Sequence, residues 1–178
     1  MIKLIILDVD GILTDGRKYY DKEGTVRLKT FCDKDWTAIK RFKALDIKVI
    51  FLTGDPFNVV IADNRKIDVI VNRQNGQHRD KSDYLHEICK EYEVTPDEIV
   101  FVGDDIFDYY LMTLVKHKYC PSDAPKQVRE VATVLEAKGG DNVIMHLFDH
   151  LEKIDCLPEF NFADHLEKVY ELDLKEKF

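Results

Sequence analysis

The sequence predicts an α/β fold, a parallel sheet flanked by helices, and three observations predict it. Continuous apolar runs of three or four residues, too short for helices, recur along the chain. Helix-patterned stretches separate them, as a parallel sheet requires of its crossovers. Three of the runs stop abruptly at polar residues, and in open sheets of this kind ligands bind beyond the carboxyl ends of the strands.

The first run, Leu4-Ile5-Ile6-Leu7, reads as a strand buried on both faces and ends in Asp8-Val9-Asp10-Gly11. Residues 17–31 then carry two β-rich pieces around Asp21-Lys22-Glu23-Gly24, a projecting β-hairpin. Tyr19, Tyr20, Val26 and Leu28 give it apolar surface that a two-stranded unit cannot bury alone, so burial against another subunit is expected. A helix-like stretch from Trp36 to Leu45 leads into Val49-Ile50-Phe51-Leu52, which ends in Thr53-Gly54-Asp55-Pro56.

Val69-Ile70-Val71 is a shorter run, and Ser82 to Tyr92 is patterned as an amphipathic helix. Ile99-Val100-Phe101-Val102 closes the series and ends in Gly103-Asp104-Asp105. After Gly139-Gly140 a helix is expected over Val143 to Leu151. Phe162, Leu166, Val169, Tyr170 and Leu174 fit a terminal helix beyond Pro158. Residues 1–150 are read as the main domain and 151–178 as a helical extension of it, not a second domain.

The chain has 178 residues, enough for one core, and its 45% hydrophobic and 34% charged residues suit a folded protein. Twenty-six basic against thirty-four acidic residues give a net charge of −8, which argues against a nucleic-acid-binding surface. An anionic substrate would need local cations. Cys32, Cys89, Cys120 and Cys156 are scattered without metal-site spacing and read as free thiols of a reducing compartment. No basic leader or membrane-length apolar run is evident, so a cytoplasmic protein is expected.

The chemistry gathers at the strand ends. Asp8 and Asp10 form a D-x-D pair where Gly11 lets the chain turn, although alone such a pair equally suits a solvated turn. Asp104 and Asp105 end another strand, and two acidic strand ends suit Mg²⁺, which takes oxygen ligands. Without a cation the cluster would repel itself or raise its pKa values. Thr53 and the Gly54 backbone offer donors to a phosphate oxygen, and Lys81 offers a cation, though each is commonplace by itself.

The ordered combination D-x-D-G, T-G, Lys, then G-D-D-x-x-D, opening on Leu7-Asp8-Val9-Asp10-Gly11-Ile12-Leu13-Thr14-Asp15-Gly16, resembles the haloacid dehalogenase superfamily over residues 3–150. The resemblance implies a Rossmann-like fold and an Mg²⁺-dependent phosphatase. Asp8 would be the nucleophile that forms an aspartyl-phosphate. Asp10 would be the acid/base and would bind the metal through its backbone carbonyl. Thr53, Gly54 and Lys81 would bind phosphate, and Asp8, Asp10 and Asp104 the metal, with Asp105 or Asp108 in support.

No cap domain fits between these motifs. With Thr14-Asp15-Gly16, the Tyr19-Tyr20 hairpin, Lys34-Asp35 and Gly139-Gly140, the chain resembles the capless phosphatases of phosphorylated 3-deoxy-ulosonic acids. That resemblance implies a substrate such as 3-deoxy-octulosonate 8-phosphate or a nonulosonate 9-phosphate, and a homotetramer in which hairpins pack and a neighbour closes the site. Asp55 stands where arginine is usual and Trp36 where glycine or alanine is common, changes that would reshape the substrate mouth. His78, Arg79, Lys34 and Arg17 are candidates for holding a sugar carboxylate. The alternatives are a broad-specificity phosphatase or a silent oligomeric binding protein. A receiver-type signalling module is disfavoured by the order of the motifs, because receivers place their phosphorylated aspartate after the acidic pair.

Overall fold

A computed structural model describes residues 1–74 and 76–177. Its centre is β1 (Leu4–Leu7), whose four side chains are all buried. This strand pairs in parallel with β4 (Lys48–Thr53) on one side and β8 (Ile99–Val102) on the other. Leu7 stands opposite both Phe51 and Val102, so the chain leaves all three strands at one edge. The sheet has six parallel strands in the order β10-β9-β8-β1-β4-β5, where β5 is Asp68–Val71, β9 His117–Cys120 and β10 Thr133–Val134.

Each face of the sheet has its own core. Ile5 and Leu7 face a cluster shared with α1 (Asp33–Ala44) and α6 (Val143–Lys153), which buries Trp36, Phe42, Leu147 and Phe148. Leu4 and Ile6 face a smaller cluster with α3 (Leu85–Glu91), α4 (Tyr109–Leu114) and α5 (Lys126–Val131). That two-sided burial is why the strands read as continuous apolar runs. The short α2 (Asn58–Asn64) lies between β4 and β5.

Two antiparallel hairpins stand apart from the sheet. The first, β2 (Tyr19–Tyr20) with β3 (Val26–Leu28), is the projecting hairpin read from the sequence. The second, β6 (Arg73–Gln74) with β7 (Gln77–His78), was not foreseen, because its strands are two residues long and polar. The helix expected over Ser82 to Tyr92 begins instead as a 3-10 turn at Lys81–Tyr84, capped by Asp80, before α3. The last helix, α7 (Phe162–Asp173), packs on α1. Buried Lys40 of α1 meets Asp173 at 2.5 Å and Glu176 at 3.5 Å, and Arg65 meets Glu176 at 2.9 Å. Among the described residues, no helix is long and apolar enough to cross a membrane.

Candidate active site

The parallel register brings the ends of β1, β4 and β8 together around a cleft of about 560 Å³, lined by Asp8, Asp10, Thr53, Gly54, Lys81, Asp104 and Asp105 among others. The loop after β1 folds back on itself, with the amides of Leu13 and Thr14 donating to Val9 O. Gly11 has φ +88°, and a Cβ there would lie 2.0 Å from Asp104 Oδ2. Only glycine lets the two acidic strand ends approach this closely.

Asp8 accepts from Val9 N at 2.7 Å through Oδ1 and meets Lys81 Nζ at 2.8 Å through Oδ2. Lys81 is buried and also meets Asp108 at 2.6 Å. Asp108 is fully buried, and its second oxygen accepts from the amides of Asp104 and Asp105 at 2.9 and 3.0 Å, which shapes the loop after β8. Burial pulls the Lys81 ammonium down, but Asp8 and Asp108 outweigh it and hold the group above its ordinary range. Burial pushes Asp8 up to about 6 against the pull of Lys81. Burial also pushes Asp104 up to about 8, reinforced by Asp8 and Asp108.

Carboxylate oxygens of Asp8, Asp104 and Asp108 lie within 4.8 Å of one another. Asp104 Oδ1 is buried and, among the described residues, has no hydrogen-bond partner. Three converging carboxylates, two of them (Asp8 and Asp104) with raised pKa values, and an orphaned oxygen fit a hard divalent cation, which would supply the missing partner. Asp105 sits on the cleft rim and spends Oδ1 on Ile106 N at 2.6 Å.

The Asp10 carboxylate lies outside that trio and has its own partners. Lys29 Nζ meets its Oδ1 at 2.7 Å, Asn58 Nδ2 donates to Oδ2 at 3.1 Å, and the Thr14 hydroxyl lies at 3.4 Å. The Lys29 side chain has 0% exposure and also meets Asp55 Oδ2 and Asn58 Oδ1, each at 2.9 Å. Asp55 takes a second cation, Lys18, at 2.6 Å. Burial would raise Asp55, but the hydrogen bonds from Lys18 and Lys29 hold it well below the usual carboxylate range. Thr53 Oγ1 accepts from Asn58 Nδ2 at 2.8 Å and from Asp55 N at 3.3 Å, which leaves its hydroxyl proton for another acceptor.

Lys29, Lys18, Asn58 and Arg73 all belong to this neighbourhood and were missed in the sequence, where each looks like an ordinary surface residue. Of the four carboxylate-holding candidates, His78 alone lines the cleft. Arg79 stacks over Tyr84, Arg17 pairs with Asp15, and Lys34 is exposed on α1. Trp36 is not at the mouth either. It is buried beside Phe31 and Phe51, with the Arg65 guanidinium over its ring. Asp35 does not line the cleft: it is buried, and its Oδ1 accepts from amides in the first turn of α6, Ile144 N at 2.8 Å and Met145 N at 3.3 Å.

The family described as haloacid dehalogenase-like hydrolase matches residues 75–148. The 3-deoxy-D-manno-octulosonate 8-phosphate phosphatase of Haemophilus influenzae is 30% identical over 149 residues, 83% of this chain and 81% of that protein. The chain belongs to the capless octulosonate-phosphatase-like family of the haloacid dehalogenase superfamily. Among solved structures, the cobalt-bound Haemophilus influenzae deoxy-D-mannose-octulosonate 8-phosphate phosphatase superposes with a TM-score of 0.80 at 27% identity, covering 93% of this chain and 96% of that one. The Moraxella catarrhalis 3-deoxy-D-manno-octulosonate 8-phosphate phosphatase, in complex with magnesium ion, phosphate ion and a KDO molecule, superposes with a TM-score of 0.75 at 26% identity, covering 85% and 86%. As a haloacid dehalogenase-like hydrolase of this family, the chain is a phosphomonoesterase.

Proposed function

We propose that the chain removes phosphate from a phosphorylated sugar acid, 3-deoxy-octulosonate 8-phosphate or a nonulosonate 9-phosphate, with Asp8 as nucleophile. The observation that carries this reading is the Asp8 carboxylate in the cleft, held between Val9 N and a buried Lys81 and within 4.8 Å of a carboxylate oxygen of Asp104. The relatives named above act on, or are crystallised with, such a sugar acid.

In the first step an Asp8 oxygen forms a bond to phosphorus as the ester P–O bond breaks, and Asp10 gives a proton to the departing alkoxide. In the second, Asp10 takes a proton from water, whose oxygen attacks the aspartyl-phosphate and releases inorganic phosphate. The free hydroxyl proton of Thr53, the Gly54 amide and Lys81 stabilise the phosphoryl oxygens. Mg²⁺ held by Asp8, Asp104 and the Asp10 backbone carbonyl would screen the carboxylate from the anionic phosphate. Lys29 and Asn58 hold Asp10 in place for both proton transfers.

Tyr19, Tyr20 and Leu28 of the first hairpin are 55%, 60% and 64% exposed, a clustered apolar surface that supports self-association, as a homotetramer, through this element.

A phosphate-release screen with Mg²⁺ over octulosonate 8-phosphate, nonulosonate 9-phosphates and simple sugar phosphates tests the substrate, and a flat profile would defeat the sugar-acid reading. The Asp8→Asn variant is expected to lose phosphate release at least about 1000-fold. Retained turnover would defeat the nucleophile assignment.

A further inference from the structure

We propose that Arg73 and His78, on the second hairpin, form a carboxylate-binding subsite at the mouth of the cleft. The proposal rests on the phosphatase reading and adds a place for the second negative charge of the substrate.

Arg73 and His78 are directly opposed in the antiparallel register of β6 and β7, so their side chains leave the same face of the hairpin. Both line the cleft that contains Asp8 and Lys81. Both approach the exposed ring of Phe107. The Arg73 guanidinium carbon lies 5.8 Å from the ring centroid, and the His78 ring meets it edge-on at 5.2 Å. On its other side the guanidinium lies against Gly54, 3.5 Å from where a Cβ on that residue would stand. Arg73 is therefore held at the rim, next to the Thr53-Gly54 step and outside the carboxylate floor.

The other cations of the cleft are already committed. Lys81 is paired with Asp8 and Asp108, and Lys18 with Asp55. Among the described residues no carboxylate lies within salt-bridge distance of Arg73, although the same cleft contains Asp8, Asp10, Asp55, Asp104 and Asp105. A fixed guanidinium beside a histidine, over an aromatic face and without a protein anion, is suited to an incoming one. The planar fork of arginine matches a carboxylate through two parallel N–H donors, which lysine cannot reproduce. The Phe107 ring offers an apolar wall for the carbon chain that joins this carboxylate to the phosphate. Asp55 cannot take the role, because it is an anion already neutralised by Lys18 and Lys29.

Steady-state kinetics with Mg²⁺ on the wild type, Arg73→Ala, Arg73→Lys and His78→Ala test the subsite with two substrate pairs. One is octulosonate 8-phosphate against p-nitrophenyl phosphate. The other is 3-phosphoglycerate against glycerol 3-phosphate, which share a three-carbon skeleton and differ in the carboxylate. The wild type is expected to prefer the carboxylate-bearing member of each pair. Arg73→Ala is expected to cut that preference by about 10- to 100-fold, mainly through KM, the range for losing a charge-assisted hydrogen-bonded pair. Arg73→Lys should restore only part of it and His78→Ala should cause a smaller loss. An equal loss on both members of a pair, which would place Arg73 on the phosphate itself, overturns the proposal, as does an unchanged preference. If octulosonate 8-phosphate is not turned over but Arg73→Ala still erases a preference for 3-phosphoglycerate, the subsite stands and the sugar-acid reading falls.

Discussion

Lys29 supports Asp10 in a way that no single sequence feature announces. Burying an ammonium costs several kcal/mol unless its donors are satisfied, and here they reach Asp10, Asp55 and Asn58. Replacing it by methionine keeps the apolar stem but takes the cation from Asp10, while Asp55 keeps Lys18. The expected outcome for Lys29→Met is a fall in kcat of about 10- to 100-fold with a smaller change in KM, because a misplaced acid/base weakens proton transfer more than binding. Parallel thermal melts separate this from simple unfolding, since kcat is taken per folded molecule. The acidic residues and Thr53 were legible because each directly follows an apolar strand, where the period of the pattern changes and the polar letters stand out. Lys81 was legible only through its place in the order of motifs. Lys29, Asn58 and Arg73 reach the site through a hairpin return, a short helix and a second hairpin, and nothing local distinguishes such a residue from a solvated one.

At the scale of elements, the layer of α1, α6 and α7 contains a buried titratable group that the chemistry does not use. His165 of α7 is 3% exposed, packs against the rings of Phe148 and Phe160, and among the described residues has no hydrogen-bond partner at either ring nitrogen. Burial, with Arg41 of α1 and Lys168 of its own helix, lowers its pKa below the ordinary value of 6.5. The unfolded chain therefore takes up the proton first as pH falls, and stability present above pH 6.5 is lost as pH drops from there toward the folded-state pKa. The raised carboxyls of Asp8 and Asp104 act in the opposite direction over the same range, so the effect is read as a difference: denaturant midpoints across pH 5–8 should show His165→Phe gaining on the wild type as pH falls while matching or exceeding wild-type stability at pH 8. An unchanged slope in the variant would assign the acid sensitivity elsewhere. The spacing of Phe162, Leu166, Val169 and Tyr170 made α7 legible as a helix but not its buried face, because Phe162 and Tyr170 are exposed and the helix buries His165 and Val169 instead. Strands β9 and β10 were not legible. His117-Lys118-Tyr119-Cys120 carries no apolar run, and Thr133–Val134 is too short for any period to show. Their placement follows from pairing with β8 and with each other.

Across the whole molecule, six parallel strands deliver their polar ends to one edge, and the first hairpin stands beside that edge with its apolar residues outward. Copies of a chain with net charge −8 repel one another, so association through Tyr19, Tyr20 and Leu28 must come from apolar burial and should strengthen with salt. Light scattering is expected to give a tetramer mass for the wild type and a smaller species for the Tyr19→Ser, Tyr20→Ser, Leu28→Ser triple variant. A monomeric wild type would remove the role of the hairpin in assembly. The inner face of the same hairpin sends Lys18 to Asp55 and Lys29 to both Asp55 and Asp10. In the proposed assembly one short ribbon would touch a neighbouring copy on one side while its Lys29 holds the Asp10 carboxylate on the other. Turnover per molecule, which for an isolated catalyst does not depend on how much of it is present, should then decline as the protein is diluted below the dissociation constant of its assembly and return when it is concentrated again.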